Sequence, residues 1–176
     1  GSPSTYRMRA AAPAGLSLAV TRMRPMRLEG AAMDIDPDNP VVKLCVQGME
    51  AESAGRLDEA SRLFELAWAE HADDYEACIA AHYLARHQES AEQLLHWNQT
   101  ALDHADRVGD DRVRGFYPSL YLNLGNAHEQ LGDHAEAARY YRLGEERAGE
   151  LADGPYAEMV RGAIARGRQR VGQLDL

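Results

Sequence analysis

Cys45 and Met49 stand four residues apart, and so do Cys78 and His82, in two stretches whose apolar residues recur at helical spacing. One helical turn places each pair on a common face. A thiolate, a thioether and an imidazole together form the donor set of a soft ion such as copper(I) or zinc. Equivalent slots on neighbouring helices are about 8 to 10 Å apart, however, a span that strains a shared ion and prevents a Cys45–Cys78 disulfide without backbone movement. Free cysteine otherwise behaves as a small hydrophobe, so packing as reduced thiols is the expectation, with Cys45, Met49, Cys78 and His82 kept as metal candidates. Arg86, one turn beyond His82, would grip an acidic or C-terminal peptide group bidentately if it stood free. A salt bridge to Glu52 or Glu89 would neutralise it.

Other chemistry lacks its signatures. There is no glycine-rich turn joining a strand to a helix, no His-Glu-x-x-His pair, and no Ser or Cys nucleophile on a recognisable elbow. His82 and His87 are five residues apart and do not share a face as an i, i+4 pair would. The expectation is therefore a protein that is not an enzyme and needs no cofactor.

The elements that must position these residues are all helical. Asn39-Pro40 supplies an N-cap and a proline at the first helical position, so a helix should run from Pro40 to Ala54 and end at Gly55. Asp58 should cap a return helix to His71, and Asp74 should start a third towards His87. Ser90 with Gln93 forms a capping box for a fourth helix to Arg107. Gly109-Asp110-Asp111 breaks the pattern, Pro118 limits the fifth helix, and Gly132-Asp133 turns it into a sixth that ends near Glu150. Gly154-Pro155 opens a seventh, whose apolar residues Tyr156, Met159, Val160, Ala163, Ile164 and Val171 recur by three and four. No alternating β-branched run offers a strand. The fold class is all-α.

Two segments repeat at a distance of 77 residues: Gly48, Gly55, Ala60 and Phe64 recur as Gly125, Gly132, Ala137 and Tyr141. The run Leu120 to Tyr141 carries the pattern most fully. From Pro40 to about Leu151 the chain resembles the tetratricopeptide repeat family on these residues. The resemblance implies a right-handed superhelix of about three helix-turn-helix units with the seventh helix as a C-terminal cap. It implies contact of paired helices at Gly125, with Ala137 fitting beneath it. In the middle unit Cys45-Val46 matches Cys78-Ile79 at an offset of 33, which sets Ala81 against Gly48 and Trp97 against Phe64, and extra helix or loop falls around Val108 to Tyr117.

What the resemblance implies for function is an adaptor or scaffold that binds a peptide or partner helix along the concave face of the first helices. That face would present Cys45, Met49, Glu52, Cys78, His82, Arg86, Leu122, Asn126, Glu129 and Gln130. The lysines with which some members hold a chaperone tail are missing. The alternative is a small-ligand or soft-metal sensor built on the Cys, Met, His and Arg part of the same groove. Tyr75, Trp97, Phe116, Tyr117 and Tyr121 are expected to pack rather than to cage a ligand.

Composition narrows the partners. The net charge is −9 with a single lysine, Lys43, which disfavours nucleic acid. No apolar run approaches the roughly 20 residues that cross a bilayer, so no membrane partner is expected. Two cysteines in helical text and no convincing secretory leader suggest the cytoplasm. Arg161, Arg166, Arg168 and Arg170 cluster on the last helix, where the negative end of its dipole favours them. Residues 1–33 hold five arginines and one glutamate; their Gly-Ser opening resembles a cleavage remnant and Met33 a natural start. They are expected to be a disordered tag or upstream extension, leaving residues 34–176 as the helical repeat domain. About three units are a minimum for such an array, so self-association through an open end is compatible with the reading.

Overall fold

The computed structural model describes residues 36–174. Eight α-helices run through them and no strand does: α1 Pro40–Ser53, α2 Leu57–Glu70, α3 Asp74–Ala85, α4 Ala91–Val108, α5 Asp111–Arg114, α6 Tyr117–Gln130, α7 His134–Ala148 and α8 Pro155–Gly172. The helix beyond the seven expected is α5, a single turn in the predicted insertion between α4 and α6. The expectation for residues 1–33 lies outside the described residues.

Local chemistry sets the boundaries. Asn39 Oδ1 accepts from the amides of Val41 at 2.9 Å and Val42 at 3.1 Å, with Pro40 opening α1. Ser90 Oγ accepts from the Gln93 amide at 3.1 Å, the hydroxyl half of the expected capping box. Asp58 does not cap α2: the helix begins earlier, at Leu57, with Arg56 at the cap position and no side-chain bond there, so Asp58 sits inside the first turn. Its charge still meets the positive end of the helix dipole. Gly55 at φ +76° and Gly132 at φ +79° make the two equivalent turns in a backbone region that L side chains avoid.

Consecutive helices pack as hairpins, α1 with α2, α3 with α4 and α6 with α7, and α8 closes against α7 and α6. The hairpins join through α2 with α3, α1 with α3, and α4 with α6. In the first and third the key is a ring laid on a glycine. A methyl group on Gly125 would sit 2.5 Å from the Tyr141 ring, and one on Gly48 would run into the Phe64 ring. Ala137 is buried, but the aromatic side chain one turn further on fills the contact. Tyr141 is flanked on its other side by Gly167 of α8, whose Cβ would also fall 2.5 Å from the ring. Complete burial of each of these rings contributes about 1.5 to 3 kcal/mol.

The middle hairpin has a different register from the one expected. Asp74 and Ala91, which begin α3 and α4, each lie 34 residues after Pro40 and Leu57, and the caps Asn39 and Asp73 keep the same spacing. His82 therefore takes the place of Gly48 and Gly125, and Asn98 that of Phe64 and Tyr141. Both are buried. The ring has changed sides: the imidazole stands on the first helix and the short side chain on the second. Trp97 is only half-buried and meets Trp68 edge-on at 5.0 Å. Helix α3 is buried at every residue from Tyr75 to Ala85, having neighbours on all sides.

Candidate functional site

The slot four residues beyond the key position reads Glu52 on α1, Arg86 at the C-cap of α3 and Glu129 on α6. The structure turns this alternation of charge into contacts. Arg86 Nη2 lies 3.1 Å from Glu52 Oε2, a buried oxygen that has no hydrogen bond of good geometry, so charge alone holds it. On α8, Arg170 reaches back to Glu129, with Nε donating to Oε1 at 2.7 Å and Nη2 to Oε2 at 3.0 Å. That bidentate grip is the largest cause of the Glu129 carboxyl titrating below its ordinary range.

Tyr141 extends this network through the hairpin. Its hydroxyl donates to Glu129 and stands 2.7 Å from the Asn126 side-chain amide. A phenol has one proton and the carboxylate is the stronger acceptor, so the Asn126 amide is best oriented with its NH2 toward the phenolic oxygen. Burial, then the bond to Glu129, pushes the Tyr141 ionisation upward.

A second arm leaves Glu52. His87, just past the end of α3, sets Nε2 at 2.7 Å from Glu52 Oε1 and Nδ1 at 3.0 Å from Ser61 Oγ on α2. Three helical segments meet at one imidazole. The Phe64 ring lies 5.3 Å from His87 and stacks on Tyr83 at 5.5 Å, forming the apolar wall beside it.

The expected groove is largely closed. Cys45, Met49, Cys78, His82 and Leu122 are buried and do not line an open trough. The physical reason is the enclosure of α3: Phe116, at the start of α6, lies 5.9 Å from His82 and meets it edge-on. What remains at the surface is a polar rim, with Glu52, Arg86, Asn126 and Glu129 half-buried and Gln130 exposed.

Both cysteines are free, and burial raises their thiols to about 12. A protonated thiol is a poor metal ligand. His82 is pushed the other way, to about 4, by burial and then by the nearby Arg86 charge. Among the described residues no group of three or more His, Cys, Asp and Glu side chains is placed to hold one ion. The soft-metal alternative therefore gains nothing from the geometry.

Of the residues that pattern alone had singled out, the structure brings Glu52 to Arg86, and Asn126 to Glu129 through Tyr141. It separates these from Cys45, Met49, Cys78 and His82. Ser61, His87 and Arg170 were missed as members of the network. Arg170 lies on no slot equivalent to Glu52, Arg86 and Glu129, and Ser61 and His87 fall on no repeat position either, so no spacing marks them. The terminal arginines serve carboxylates as much as a helix dipole: Arg161 pairs with Asp153 at 3.2 Å, and Arg168 pairs with Glu145.

No helix among the described residues is long and apolar enough to cross a membrane. No family model matches the chain, nor does any curated protein or solved structure.

Proposed function

We propose that the protein is a protein–protein interaction module of tetratricopeptide type, its hairpins forming a right-handed superhelix, and that a peptide or partner helix docks along the polar rim of Glu52, Arg86, Asn126, Glu129 and Gln130. The observation that carries this reading is the recurrence of one hairpin design with a charged residue at the same slot of each unit. Its ion pairs remain partly open to solvent, with side-chain exposures of 27% and 14% for Arg86 and Glu52 and of 51% and 20% for Arg170 and Glu129. The more open of the two, Arg170 with Glu129, costs little to exchange for a partner's charges. The acidic balance of the chain favours a partner of net positive charge, whose approach the long-range field accelerates. The function is binding rather than catalysis, without a cofactor, in the cytoplasm, with neither nucleic acid nor membrane as partner.

The test begins with chemical cross-linking of the full chain in cells, followed by reconstitution of the captured partner with purified protein. Replacing Glu52 and Glu129 by arginine is expected to weaken the reconstituted complex at least about 10-fold and to remove its salt dependence. A complex of unchanged affinity and salt dependence places the interface elsewhere and sinks the rim assignment.

A further inference from the structure

The geometry points to Ser61 as an acyl-accepting nucleophile, activated by His87 as general base, with Glu52 as the positioning residue. This goes beyond the docking reading and uses a different side of Glu52. A carboxylate only accepts hydrogen bonds, so the 2.7 Å contact between Glu52 Oε1 and His87 Nε2 fixes the ring proton on Nε2. In the neutral ring Nδ1 is then left with its lone pair, and at 3.0 Å its neighbour Ser61 Oγ must donate to it. Nucleophile, base and orienting carboxylate thus stand in a single chain within hydrogen-bond reach. The two ring nitrogens have exchanged the roles they play in the familiar serine hydrolases, an exchange that the symmetry of imidazole chemistry permits.

The surroundings suit the task. Arg86 lies 3.1 Å from the far oxygen of Glu52 and helps to orient that carboxylate, while the Phe64 ring shields one flank of the imidazole. The side chains of His87 and Glu52 are exposed by only 12% and 14%, so water competes weakly for the chain, whereas Ser61 is half-buried and open to a small reagent.

The substrate class is a small activated ester or thioester. Ser61 Oγ attacks the carbonyl carbon as its proton moves to His87 Nδ1. The bond from carbon to the leaving oxygen or sulfur breaks, and the leaving group takes the proton from His87. The product is an ester on Ser61 and a neutral alcohol or thiol, with no oxidant or further reactant needed.

The experiment treats the full chain with 4-nitrophenyl acetate, follows nitrophenol release, and locates the acetyl group by peptide mass mapping. One acetyl group on Ser61 is expected, absent in Ser61→Ala. The rate of its formation should fall about 100-fold in His87→Gln, within the range that a positioned general base contributes, and less, about 10-fold, in Glu52→Gln, which alters only the orientation of that base. In the wild type the rate should follow a single ionisation with pH, and that dependence should vanish in His87→Gln. Acetylation of Lys43 or the terminal amine with none on Ser61 overturns the proposal, as does an equal Ser61 rate in a folded His87→Gln variant. If His87→Gln does not fold, the wild-type profile decides: a Ser61 rate indifferent to pH below the range of direct serine ionisation also overturns it.

Discussion

The first and third hairpins close a ring over a glycine, and the middle hairpin carries a histidine and an asparagine at the equivalent positions. The two solutions differ in the polar atoms they bury. Phe64 on Gly48 is wholly apolar, and Tyr141 on Gly125 brings its one polar atom out to Glu129 and Asn126. His82 and Asn98 instead bury polar atoms that find nothing: His82 Nδ1 and Asn98 Oδ1 have no hydrogen-bond partner, although Asn98 Nδ2 donates to the Leu94 carbonyl at 2.9 Å. Each orphan costs about 1 to 3 kcal/mol. The middle hairpin tolerates this because α3 is buried from Tyr75 to Ala85, whereas among the described residues no hairpin packs on the outer flank of the first. Stability held by keyed rings at the ends and by enclosure in the middle should therefore respond differently to the same perturbation.

The largest expected effect comes from removing a key. Tyr141→Ala empties a fully buried site between Gly125 and Gly167 and should cost about 3 to 5 kcal/mol, read as a lowered urea midpoint with α8 loosened from α6 and α7. A loss below about 1 kcal/mol would show that the ring is not what joins the last hairpin to α8.

Acid should single out the middle hairpin next. The folded-state value for His82 lies below the unfolded value of about 6.5, so the unfolded chain binds the proton more readily. Its contribution is fully present above pH 6.5, declines as pH falls, and is exhausted near pH 4. At pH 5 about 2 kcal/mol of it has been lost by linkage. Glu129 has its carboxyl lowered by Arg170 and is affected only below the ordinary carboxylate range, so the outer network survives through this window. Urea denaturation of wild type and His82→Leu at pH 7 and pH 5 separates the two, and a variant that keeps the wild-type slope with pH would exonerate His82.

The same contrast explains what the sequence disclosed. Helix positions were legible because Asn39-Pro40, Ser90, Gly109 and Gly154-Pro155 act within a few residues of themselves. The 77-residue repeat was legible because both of its copies use the glycine and ring solution. The middle register is shifted by one residue from the expected one because Trp97 offers the aromatic that the other two units carry at that point, whereas here the ring stands on the first helix as His82. Exchange of the ring between helices is invisible until both partners are seen together. The groove failed for a tertiary reason. A helix pattern gives the face that carries Cys78 and His82 but not what covers it, and Phe116 and the packing of α3 on all sides decide that. Ser61 and His87 meet across 26 residues through the turn of one hairpin and the end of another, a juxtaposition no local spacing encodes.

The smallest effects should discriminate between the two charged seams. Arg170→Ala removes a bidentate but half-exposed pair, and Glu129 keeps the Tyr141 hydroxyl, so the loss should stay below about 1 kcal/mol. Arg86→Ala is a different case although its contact with Glu52 is longer and poorer in angle. It leaves the buried Glu52 Oε2 facing no charge at all, and the remaining tie through Oε1 to His87 then bears the whole carboxylate. Its cost should exceed that of Arg170→Ala by a margin that persists in high salt, since screening reaches exposed pairs before sheltered ones. Equal losses from the two variants, both erased by salt, would mean that the middle seam is as open as the outer one and that enclosure of α3 ends before it reaches Arg86.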